Sequence, residues 1–188
     1  LEGGAVITDG AGTLVTTQEC LLHDQRNPHL SQSEQTQILK DWLGVERVIW
    51  LENGWVPDPL TNGHVDGIAA FVSPGTILLN SISEQEDAIN YAILESARQI
   101  LEEEGLEVIR LPATSFTAFH INFYLANGGL IVPVQGVASV DDEPVGILRE
   151  CFPQHEIVEV PCNHLGRAGG GIHCITQPVP QGLEWMVI

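Results

Sequence analysis

Basic residues are scarce: seven Lys and Arg stand against twenty-five Asp and Glu in 188 residues, a formal net charge of −18. Such a chain repels nucleic acid and anionic membrane surfaces and suits a cationic ligand. For any single carboxylate, solvation of the surface is the ordinary role. Also missing are a run of about 18 or more apolar residues that could span a bilayer and a basic, apolar, small-residue leader. The composition therefore reads as a soluble protein with neither nucleic-acid nor membrane partners. Cysteine is sparse, and Cys20, Cys151, Cys162 and Cys174 are too scattered for a disulfide framework, so reduced thiols and a cytoplasmic location are expected. No glycine-rich phosphate loop, Gly-x-Ser-x-Gly elbow or basic-aromatic nucleic-acid motif is present. An initiating methionine is lacking too, and the opening "LEGG" reads as a cut.

What is present is a repeat. "AVITDGAGTLVTT" reads as a hairpin around Asp-Gly, "SQSEQTQILKDWLG" as a helix, and "RVIWL" as a strand,. In that helix Ser31 caps, Glu34 completes the capping box, Ile38, Leu39, Trp42 and Leu43 form an apolar face, and Gly44 ends it,. The same order recurs as "HVDGIAAFVSPGTILLN", "SEQEDAINYAILESARQILEEEG" ending at Gly105, and "LEVIRL". A third round has "AFHINFYLANGGLIVPV", a shorter helix around "DDEPVGILRECF", and "HEIVEV". The period is about 55 to 60 residues. The units run approximately over 1–52, 62–112 and 116–161, and "GGGIHCIT" is expected to open a last unit, 168–188, as a strand. Repeated ββαβ units argue for an α/β propeller-like ring within one domain; a plain α/β sandwich is the alternative.

Candidate chemistry lies where units begin. Cys174 can be a reactive thiolate, a metal ligand or buried packing, and a cysteine in an apolar strand is packing more often than not. Period-two alternation sets it opposite His173, a poor partner for it. Gly169, Gly170 and Gly171 just before it permit close approach of a ligand or of another chain segment,. In "TNGHVDG", His64 and Asp66 share one face of an extended segment, an imidazole beside a carboxylate,. Glu2 in "LEGG" stands at the equivalent edge of the first unit. A ring would bring Glu2, His64, Asp66 and Cys174 together at one axis. Zinc is disfavoured, because Cys162, His164, His173 and Cys174 have neither paired short-loop spacing nor a common face.

With "EGG", "TDGAGTLVTTQECLL", "RNPHLS", "LGVERVIWL", "TNGHVDGIAAFVSPGTILL", "NFYLANGGLIVPV" and "GGGIHCITQ", the chain resembles the agmatine deiminase family, close to bacterial peptidylarginine deiminases, in the guanidino-group-modifying pentein superfamily. The resemblance implies a fivefold α/β propeller of which about three blades are present. It also implies a cofactor-free, metal-free hydrolase that converts a guanidino group to a ureido group with release of ammonia, agmatine to N-carbamoylputrescine being the first substrate. Arginine or peptidylarginine deimination, amidino transfer and a non-catalytic guanidine-binding remnant are the alternatives. By the resemblance, Cys174 is the nucleophile, His64 the acid/base, Asp66 and Glu2 the guanidinium carboxylates, and Gly170 and Gly171 leave room for the cation. Glu19, Asn27, Asn122 and the Trp50 region are read as framework. Leu60 stands where an acidic residue is usual, and Gly171 where agmatine-specific members have asparagine. Family chains are about twice as long, so a homo-oligomer or further N-terminal blades from a longer polypeptide are expected.

Overall fold

The computed structural model describes residues 1–114, 120–167 and 170–178. Asp9 closes the first hairpin, its carboxylate accepting from Ala11 N at 2.8 Å and Thr13 N at 2.9 Å. This pairs β1 (Val6–Thr8) antiparallel with β2 (Thr13–Thr17). A single helical turn, α1 (Gln18–Leu21), leads to α2 (Gln32–Leu43). Both halves of the Ser31–Glu34 capping box form, and Gly44 stops α2 in the left-handed region at φ 68°,. Strand β3 (Arg47–Leu51) then returns parallel to β2.

The second unit repeats this order with β4 (Ala69–Ser73), β5 (Thr76–Ser81), α3 (Ala88–Glu103) and β6 (Glu107–Pro112). Helix α3 starts at Ala88 and not at Ser83, because Asp87 is the cap that accepts from Asn90 N, while the Ser83 carbonyl closes a preceding turn. The third unit holds β7 (Tyr124–Ala126), β8 (Gly129–Val134), α4 (Ala138–Cys151) and β9 (Glu156–Pro161), followed by α5 (Asn163–Arg167). Here α4 begins ahead of the expected Asp141. That side chain points back and accepts from Gln135 N and Val137 N, tying down the helix entry. Ala118 and Phe119, expected to open the third hairpin, lie outside the described residues, as does most of 168–188.

Each unit contributes its own three-stranded sheet, in the orders β1-β2-β3, β4-β5-β6 and β7-β8-β9. No sheet closes on itself among the described residues. A sheet of three strands needs a covered hydrophobic face to be stable, and burial between units supplies that cover. On β5, Ile77 and Leu79 pack with Leu94, Ala97 and Leu101 of α3 and with Val15, Ile49 and Leu51 of the first sheet. Leu78, on the opposite face, joins Leu130, Val132, Val145 and Leu148 of the third unit. Each of the Leu, Ile and Val side chains among them is worth roughly 1.5–3 kcal/mol. Thus α3 lies between the first and second sheets, and α4 between the second and third. Among the described residues, no helix is long and apolar enough to cross a membrane.

One expected strand is absent. "GGGIHCIT" forms a 3-10 turn, His173–Ile175, because Ile175 N and Thr176 N bond the carbonyls of Ile172 and His173, local contacts that replace a ladder,.

Candidate active site

The candidate residues sit on three short 3-10 turns: Gly3–Ala5 follows Glu2, Val65–Gly67 follows His64, and His173–Ile175 carries Cys174. The His64–Asp66 stretch is therefore a turn and not the expected extended segment. Buried side chains at the ends of central strands hold two of the turns in place. From β2, Thr16 Oγ1 donates to Ala5 O at 2.7 Å, and Thr17 Oγ1 donates to Gly63 O at 2.6 Å. From β5, Asn80 Nδ2 donates to Gly67 O at 3.0 Å. The first turn touches the second through Gly4, where a Cβ would come 2.6 Å from His64 Nδ1 and 2.7 Å from Asp66 Oδ2. Only glycine permits that approach.

Asp66, buried at 5% exposure, is the hub. Its Oδ1 lies 3.9 Å from His64 Nδ1. Its Oδ2 lies 2.8 Å from His173 Nδ1, 3.2 Å from Asn122 Nδ2 and 3.8 Å from Cys174 Sγ. His173 and Cys174 thus converge on one carboxylate, which corrects the expectation that they face opposite ways: alternation belongs to a strand, and a 3-10 turn puts adjacent side chains roughly 120° apart. Cys174 is exposed as a residue, yet its sulfur turns inward, with Asn122 Oδ1 accepting from Sγ at 3.4 Å.

Asn122, read from the sequence as framework, is therefore part of the site. The repeat carried the signal for it, since His120-x-Asn122 in the third unit has the spacing of His64-x-Asp66 in the second. Its own histidine does a different job: His120 Nε2 lies 2.8 Å from Asp141 Oδ1, both buried, and braces the α4 entry. The glycines also differ from expectation. A Cβ at Gly170 would stand 3.2 Å from Cys174 Cβ, and one at Gly171 2.8 Å from Asn122 Cγ and closer still to Oδ1. Their small size makes room for protein side chains. Glu19 keeps a framework place, accepting from Gly54 N at 3.0 Å, and Trp50 Nε1 donates to Thr36 Oγ1 at 2.9 Å. Asn27 lines the groove beside α2 and is not among the residues that line the cavity at Asp66.

Burial shifts the two groups that could exchange a proton. It pushes His64 below the ordinary imidazole value, with the Asp66 and Glu2 carboxylates opposing the shift, so His64 is neutral near pH 7,. Its Nε2 is buried without a hydrogen-bond partner. Burial pushes the Cys174 thiol up; a backbone bond from Gly171 opposes this and the Asp66 carboxylate adds to it. Glu2 sits at the mouth, gripped by Arg26, whose Nη2 donates to Oε1 at 2.8 Å. These bonds from Arg26 hold its carboxyl below the usual range. Ligand atoms of Glu2, Cys20 and His64 lie within 4.8 Å of one another. A metal fits them poorly, since the Arg26 guanidinium already occupies both Glu2 oxygens.

These groups open on a cavity of about 660 Å³, whose walls include Val6, Ile7, Phe71, Phe123, Tyr124 and Leu125. Glu2 and Asp66 are its carboxylates, and no Lys or Arg lines it among the described residues. A largely apolar cleft with a thiol at its foot and two carboxylates in its walls can hold a cation beside a sulfur,.

Comparison with known proteins makes this specific. The family model of the Porphyromonas-type peptidyl-arginine deiminase matches residues 1–180, and the chain belongs to that family. The agmatine deiminase of Pseudomonas aeruginosa strain LESB58 is 39% identical, aligned over 96% of this chain and 57% of its own length. That of Medicago truncatula is 38% identical over the same shares. The C. jejuni agmatine deiminase, solved with substrate bound, superposes with a TM-score of 0.84 at 30% identity, covering 93% of this chain and 54% of that one. The DDAH of Pseudomonas aeruginosa shares the fold at 13% identity and a TM-score of 0.51. The chain thus spans a little over half the length of these relatives.

Proposed function

We propose that this chain carries the nucleophile and acid/base of a guanidino deiminase, with agmatine as substrate and N-carbamoylputrescine as product. The observation that supports it best is the convergence of Cys174, His64, Asp66 and Asn122 at the foot of an anionic apolar cleft. A planar guanidinium donates paired, charge-assisted bonds to a carboxylate, and Asp66, whose Oδ1 faces His64, offers one. The His173 imidazole, already at Oδ2, shifts or stays beside the cation.

Chemistry then needs one proton carrier. Neutral His64 takes the thiol proton, Sγ attacks the guanidinium carbon, and the same proton goes to the departing nitrogen, so that ammonia leaves and an S-alkylthiouronium remains. Water, deprotonated by His64, attacks that carbon. The C–S bond breaks, the proton of the added hydroxyl passes to the sulfur, His64 gives up the water proton to the released ammonia, and the neutral ureido product departs, the charge leaving as ammonium. The bound cation lowers the cost of the thiolate that burial and Asp66 impose on the free protein. The Glu2 and Asp66 carboxylates in the wall repel the α-carboxylate of free arginine, so an amine-tailed or carboxylate-free guanidine suits the cleft better.

The units are read as three blades of a five-bladed ring, with the remaining two supplied by the rest of a longer chain. Four unpaired thiols fit a cytoplasmic setting,. Incubation with agmatine, arginine and a peptidylarginine, followed for ammonia and ureido product, tests the reading. Release from agmatine that is lost in Cys174→Ala supports it. Binding without ammonia favours a guanidine-binding remnant, and amidine transfer to an added amine favours a transferase.

A further inference from the structure

Asn122 joins three units at one point. Its Nδ2 donates to Asp66 O at 3.1 Å and to Asp66 Oδ2 at 3.2 Å, its Oδ1 accepts from Cys174 Sγ, and its backbone carbonyl accepts from His173 N at 3.1 Å. The residue is 6% exposed, so these bonds form away from water, where they are hard to replace,. The second unit, the third unit and the nucleophile turn therefore share one amide. Gly171 is small for the same reason: any side chain there would strike that amide.

We propose that Asn122 is the positioning residue of the nucleophile, holding the Cys174 sulfur and the Asp66 carboxylate at a fixed separation, and that Gly171 is retained to admit it. A neutral amide is the group this place requires. It offers Asp66 a donor and the thiol an acceptor at once, and it adds no second negative charge beside a sulfur that must become a thiolate. Aspartate is the isosteric opposite, since it keeps the shape, removes the donor to Asp66 and sets a second carboxylate against Sγ. The inference rests on the deiminase reading for its kinetic consequence but not for its thiol chemistry.

Two measurements follow on the intact chain. The pH dependence of Cys174 alkylation by iodoacetamide, read by mass spectrometry, needs no substrate. In Asn122→Asp the midpoint should rise by about one pH unit with the circular dichroism spectrum kept. An unchanged midpoint in a folded variant overturns the proposal. Steady-state turnover of agmatine should show Asn122→Ala losing on the order of 10–100-fold in kcat with KM less affected. A loss confined to KM, or no loss, overturns it as well. Gly171→Ala should lose activity through displacement of the amide, and Asn122→Ala/Gly171→Ala should be no worse than Asn122→Ala alone. Additive losses sever the link between the two residues. If wild-type Cys174 is alkylated yet no substrate yields ammonia, the deiminase reading fails, and the alkylation arm still decides the role of Asn122.

Discussion

At the scale of single residues, the four thiols separate by environment. Burial pushes Cys20 up to about 11 and raises Cys151 and Cys162 as well. Cys174 is raised too, but it is the exposed one and stands beside Asp66. An amidine-bearing haloacetyl reagent should therefore label Cys174 and spare the other three, as read by peptide mass spectrometry. Equal labelling of all four would argue against an assembled cation site. The free protein should alkylate with a midpoint above the ordinary thiol value, and agmatine should bring the midpoint down; an upward shift on adding agmatine contradicts the role given to Asp66. His64 adds a stability term of defined sign. Its pKa is depressed in the folded state, so the unfolded chain binds its proton more readily. Stability should fall as pH drops through the unfolded-state value near 6.5 and be fully kept above it. Urea midpoints at pH 7.5 and 5.5 measure this, and His64→Gln should flatten the difference.

At the scale of elements, the turn and cap residues behave independently enough to be read one at a time. Gly44 shows this: its φ of 68° is left-handed, and nothing lies within 4 Å of an added Cβ. Gly44→Ala should cost about 1 kcal/mol from conformation alone, read as a lower urea midpoint with an unchanged slope. The same independence explains what was legible in the sequence. Asp9 with its two glycines, Ser31 with Glu34, and the apolar strand runs act within a few residues, so hairpins, helix α2 and the parallel return strands could be located directly. The 3-10 turns could not. Local i→i−3 bonds shape His173–Ile175, and the Asn122 carbonyl, some fifty residues away in sequence, anchors His173 N. Reading that turn as a strand sent His173 to the wrong face. It also concealed Asn122, whose only mark in the sequence is a spacing shared with His64-x-Asp66.

On the scale of the whole molecule, one of the three long helices is incomplete by the rule the other two follow. Helices α3 and α4 each fill the space between two sheets, whereas among the described residues α2 packs one side against the first sheet alone. On that side Leu39 is buried with Leu14, Leu21 and Val45. On the other, Trp42 is 82% exposed, with Ile38 and Leu43 also open, and together with Leu30 and Leu21 they line a groove of about 560 Å³. An apolar face of this kind on a helix already folded is built for a cover, and the repeat specifies which kind: the sheet of a preceding unit. We propose that this cover comes from the portion of the longer deiminases that the present chain does not span. The isolated chain mixed with that portion of the Pseudomonas aeruginosa relative should form a complex on size exclusion with a blue shift in tryptophan emission. Trp42→Lys should weaken the complex by tenfold or more, the loss expected when a charge replaces a large apolar contact. It should leave Cys174 alkylation in the isolated chain unchanged, because Trp42 is not among the residues that line the Asp66 cleft. A complex indifferent to Trp42 would place the join elsewhere, and self-association abolished by Trp42→Lys would show that a second copy covers the face instead.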